Sequence, residues 1–85
     1  MNAKEVLKQQ FMAIVNNQLR EGEPPETALA LQRLVGEGYA EADARAMIAQ
    51  CVAVEIYQVM QNEEPFNLAR YLRNLSNLPQ TPEES

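Results

Sequence analysis

Eighty-five residues, 46% of them apolar, suffice for one small core and are too few for two, and that apolar share separates the chain from disordered sequences. Net charge is −5, with eleven Glu and one Asp against five Arg and two Lys, so the field that draws phosphate backbones is missing and nucleic acid is not an expected partner. Histidine is absent and cysteine occurs once, at Cys51, which excludes His-based triads, imidazole metal sites and an intrachain disulfide.

The first residues carry no signal-peptide hydrophobic region, and no apolar run approaches the roughly 18 residues a membrane span needs, so the chain reads as cytoplasmic. Ala3, Leu7, Phe11, Ile14 and Val15 then repeat at helical spacing and predict an amphipathic first helix over about 3–21. It stops where Gly22 releases the chain. Pro24-Pro25 cannot extend that helix, but a proline's fixed φ suits a first turn, so a second helix is expected over 25–37, with Ala28, Leu31, Leu34 and Val35 inward. Gly38 is its expected left-handed stop, with Tyr39 folding back on it.

The third helix, over 41–61, is apolar nearly all round: only Asp43, Gln50 and Gln61 make a polar strip, which places it centrally among the others. Ala40 stands at its cap position and lacks the side-chain oxygen a cap uses, although Asp43 supplies the acidic half of a capping box. Glu55 is the irregular residue here. It shares a face with Ile48, Cys51, Val52 and Val59, where a lone carboxylate is costly, so it needs a partner: Arg33, Arg45, Arg70 or a hydroxyl of Tyr39 or Tyr71.

Asn62 and Pro65 close the third helix, with Asn62 the expected left-handed residue. Asn67 then caps a fourth over 67–77, whose stripe is Leu68, Tyr71, Leu72, Leu75 and Leu78; Phe66 with Tyr71 has the pattern of a hydrophobic staple. Arg70 and Arg73 read as residues of its solvated face. Residues 1–79 form one helical domain, and 80–85 an acidic tail with nothing to bury, expected to be disordered. The fold class is all-α, a compact four-helix assembly.

Chemistry is scarce in this pattern. The carboxylate pairs Glu21/Glu23, Glu63/Glu64 and Glu83/Glu84 lie at helix ends or in the tail, where solvated charge is the ordinary state, and Cys51 on an apolar helix reads as an inert core thiol. No metal or cofactor is expected.

Two resemblances add to this. Asn16-Asn17-Gln18-Leu19-Arg20, Pro24-Pro25-Glu26-Thr27, Arg33-Leu34, Glu37-Gly38-Tyr39, Glu55-Ile56, Glu64-Pro65-Phe66-Asn67, Arg70-Tyr71 and Leu78-Pro79 resemble a small family of uncharacterised all-helical bacterial proteins. That resemblance implies a bacterial cytosolic origin and no particular activity. In that pattern position 40 usually carries a hydroxyl, from which Ala40 departs. The stretch Leu34 to Ala44, with Gly38-Tyr39 at its turn, is similar to the helix–Gly-aromatic–helix turn of UBA-like domains, which implies an apolar docking surface there.

The expectation is a non-catalytic helical protein that acts by binding protein, as a homodimer in the simplest case, or as an adaptor. Surplus apolar residues carry it: Met12, Leu29, Val54, Tyr57 and Met60, with Gly38 and Tyr39 from the turn. The competing expectation is a ligand binder or enzyme that uses Glu55 in a pocket between helices.

Overall fold

The structure, a computed structural model, describes residues 2–84 and consists of four helices: α1 Ala3–Glu21, α2 Pro25–Gly36, α3 Glu41–Asn62 and α4 Leu68–Asn77. Each boundary has a local cause. Asn2 accepts the Glu5 N–H on its side chain at 2.9 Å and so starts α1, and Gly22 at φ 70° ends it by returning its N–H to the Gln18 carbonyl. Pro25 is the first residue of α2, as its fixed φ predicts. At the other end Gly38, at φ 106°, lets Tyr39 N–H reach the Leu34 carbonyl at 3.1 Å while its own N–H meets Val35, the two bonds of a Schellman turn.

Ala40 has the extended backbone of an N-cap and no side-chain bond to use it. The left-handed residue after α3 is Glu63, at φ 53°, and not Asn62. Asn62 instead donates its side-chain amide to Gln58 one turn back, which keeps it within the helix. Asn67 caps α4 as its sequence position predicts, accepting the Arg70 N–H at 3.0 Å, and Phe66 meets Tyr71 edge to face at 5.5 Å.

Helix α3 packs against all three companions, and α2 also touches α1 and α4. The core lies around the first two thirds of α3: Ala44, Ile48, Ala49, Cys51 and Val52 meet Val15 of α1, Ala30 and Leu34 of α2, and Tyr71 and Leu75 of α4. A radius of gyration of 12.4 Å is near the roughly 12 Å expected of a folded chain this long.

Burial departs from the sequence pattern where helices outrun their neighbours. Residues 2–10 are all exposed, Leu7 among them, so the first two turns of α1 project past the core, and only Val15 of its stripe is fully buried. Val59, Val35 and Leu68 are also exposed, although their periodicity places them inward. Arg70 reverses in the other direction. Assigned by the sequence to a solvated face, it is 7% exposed.

The segment after α4 makes contacts of its own. Of the 80–85 segment expected to be a disordered tail, Ser85 lies outside the described residues, and the main chain of Glu83 and Glu84 bonds to α4.

Candidate functional site

Two places bring the singled-out residues together. The first is the junction of α3 and α4 around Glu55. Its carboxylate is fully buried and receives three hydrogen bonds: Arg70 Nε at 2.5 Å, Arg70 Nη2 at 2.9 Å and the Asn67 backbone N–H at 3.0 Å. Of the candidate partners, Arg70 is the one that pairs, and the fork geometry is the bidentate one that arginine favours with a carboxylate. Arg33 and Arg45 are engaged elsewhere, with Glu37 and Glu41. The bond to Glu55, with the nearby Glu55 and Glu64 charges, holds the Arg70 guanidinium above its ordinary range against the opposing effect of burial.

The helical wheel isolates Glu55 and leaves its neighbours unremarked. Thr27, Asn74 and Gln58 are buried as well, each at a stripe position of its helix. Gln18 Oε1 accepts both the Thr27 and the Tyr71 hydroxyls at 2.7 Å, and those hydroxyls lie 3.2 Å apart, so a polar knot joins α1, α2 and α4. Burial pushes the Tyr71 hydroxyl up to about 12, with the Thr27 and Gln18 bonds working against it. Among the described residues no buried side-chain nitrogen or oxygen lacks a partner. The signal that could have found Thr27 and Asn74 is the one that found Glu55, a polar residue in register with an apolar stripe.

Cys51 is buried beside this junction, and desolvation, reinforced by the Glu55 charge, pushes its thiol up to about 12. A thiol held neutral in this way is a poor nucleophile. Among the described residues no cluster of three Cys, Asp or Glu side chains is arranged to hold a metal ion, and no helix is long and apolar enough to cross a membrane.

The second place is a groove of about 660 Å³ between the projecting half of α1 and the last turns of α3. Leu7 and Phe11 line one wall, Val54, Tyr57 and Met60 the other, and Glu84 sits at the rim. Met60 is 74% and Tyr57 52% exposed. Three of the seven surface residues singled out in the sequence thus converge. Met12 lies in a neighbouring hollow that shares Phe11. Leu29 is apart, facing a shallow hollow between α2 and α4, and Gly38-Tyr39 form the α2–α3 turn, where Tyr39 packs partly against the core. Leu7 and Phe11 count as core residues in the sequence pattern; only the projection of α1 turns them into a groove wall.

The arrangement can bury apolar surface against a partner at the groove, and around Glu55 it binds helices to one another. Set against protein-family models, curated proteins and solved structures, the chain matches none of them.

Proposed function

We propose that this protein is non-catalytic and acts by binding protein, in the first instance a second copy of itself, through the α1–α3 groove. The observation that supports this reading is the convergence of Val54, Tyr57 and Met60 on Leu7 and Phe11 in an open groove. Apolar surface gathered from two helices and left in water is the usual mark of an interface. In a two-fold pair each copy presents the same face to the other, so one groove serves both sides. The setting we infer is the bacterial cytoplasm, on the strength of the all-helical bacterial pattern and a single cysteine that needs no oxidising compartment.

Glu55 as a catalytic acid draws less support. Its oxygens are occupied by Arg70 and Asn67 and are closed to water, whereas an acid must reach the group it protonates. Docking at Gly38-Tyr39 is weakened by the partial packing of Tyr39 against the core.

Sedimentation equilibrium of the full chain tests the proposal. The expected mass is twice 9.6 kDa at high micromolar concentration, falling to the single-chain value when Tyr57→Lys and Met60→Lys are combined. Both positions are exposed, so the core is spared. A single-chain mass throughout removes the second copy and leaves a foreign protein as the groove's partner.

A further inference from the structure

The segment after α4 is gripped by its main chain and not by its side chains. Asn74, 1% exposed, donates from Nδ2 to the Glu83 carbonyl at 2.9 Å and accepts the N–H of the same residue on Oδ1 at 3.0 Å. One turn earlier on the same face, Arg70 Nη1 donates to the Glu84 carbonyl at 3.2 Å. A carboxamide offers the same donor and acceptor as a peptide unit, so Asn74 pairs with Glu83 as a neighbouring strand would. The side chains of Glu83 and Glu84 stay exposed, so the grip does not depend on filling a pocket.

Charge adds the preference. Helix α4 carries Arg70 and Arg73 and no acidic residue, in a chain of net charge −5, and the segment it holds carries Glu83 and Glu84. Both polar atoms of the Asn74 amide are spent on the segment that covers it, so an occupant replaces water at each of them.

We propose that the Arg70–Asn74 face of α4 is a binding site for an extended acidic peptide, filled in cis by Glu83–Glu84 and able to take an acidic segment of another polypeptide when these are displaced. Main-chain bonds supply the affinity, as when a peptide is added to a sheet edge, and Arg73, the exposed cation of α4, supplies the selection for acidic segments, the Arg70 charge being met by Glu55. The site adjoins the α1–α3 groove, sharing Glu84 with its rim, but its donors and acceptor lie on α4 and the proposal does not rest on that groove being an interface.

The test uses the full chain with Glu83→Pro. Proline has no N–H to give to Asn74, and position 83 lies outside every helix, so one of the three bonds that hold the segment is removed and its grip weakened without touching the core. The probe is a fluorescein-labelled, amidated peptide of sequence Gln-Thr-Pro-Glu-Glu, followed by anisotropy at low salt. Because the cis segment competes at high effective concentration, the expected result is binding to the variant at least about tenfold tighter than to the unaltered chain. A peptide N-methylated at its first glutamate should lose that binding, a control that leaves the protein untouched. Equal affinity for both chains, undiminished binding of the methylated peptide, or no anisotropy change with the variant would each overturn the proposal.

Discussion

Ala40 holds φ at −63° and ψ at 146°, the backbone of an N-cap, and has no oxygen with which to use it. The first turn of α3 therefore leaves amide donors to water that a hydroxyl would satisfy. Ala40→Ser is expected to raise unfolding free energy by about 1 kcal/mol, read as a higher denaturant midpoint at unchanged slope. No change would mean that the hydroxyl does not find the amide. The same residue tells how far a sequence can be read locally. Caps, stops and the staple were legible at Gly22, Pro25, Gly38, Phe66 and Asn67, because each depends on neighbours within a turn. Asn62 was misread because its side chain had a competing partner in Gln58, and α-helical spacing alone does not rank such partners.

At the scale of the element, α4 is the instructive case. Ten residues are too few for a helix to stand alone in water, so its ends must be held by others. Asn67 caps its N-terminus, and the backbone N–H of Asn67 goes to Glu55. In a capping box the third helical residue supplies that carboxylate; here Arg70 occupies the third position and recruits the carboxylate from α3. At the far end Arg33 of α2 donates to the Leu75 carbonyl at 3.1 Å. An anion thus sits at the positive end of the helix and a cation at the negative end. Breaking the buried pair singly, by Glu55→Leu or Arg70→Met, should cost about 3–5 kcal/mol, because the survivor is left charged and enclosed. The double change should recover most of that loss. Chemical denaturation of the four proteins decides it, and additive losses would show that the two residues act independently. The need for a partner at Glu55 was readable from the wheel; its identity was not, since Arg33, Arg45 and Arg70 differ only in where the helices bring them.

For the molecule as a whole, the buried Tyr71 and Cys51 tie stability to alkaline pH. Both are held up to about 12 in the fold, from ordinary values of 10 and 9, so both are neutral in either state below pH 9 and their contribution is complete there. Between pH 9 and 12 the unfolded chain gives up these protons while the folded one keeps them, and unfolding is favoured. At about 1.4 kcal/mol for each unit, Tyr71 alone should account for about 3 kcal/mol by pH 12. Urea midpoints taken from pH 8 to 11 should fall, with the onset moved upward by about one unit in Cys51→Ala; a flat profile would contradict the burial of both groups. Whole-molecule properties were the least legible in the sequence. The four helices and the central place of α3 follow from periodicity, but the overhang of α1 depends on how long each helix is relative to its neighbours. That difference in length makes the groove.

The Glu55–Arg70 pair also bears on how such a chain can change over generations. A single replacement at either position passes through a form with an orphaned charge in the interior, whereas trading one aliphatic side chain for another nearby leaves only a small misfit. Among descendants of this sequence the two positions should therefore drift together or stand still, while the residues around them wander.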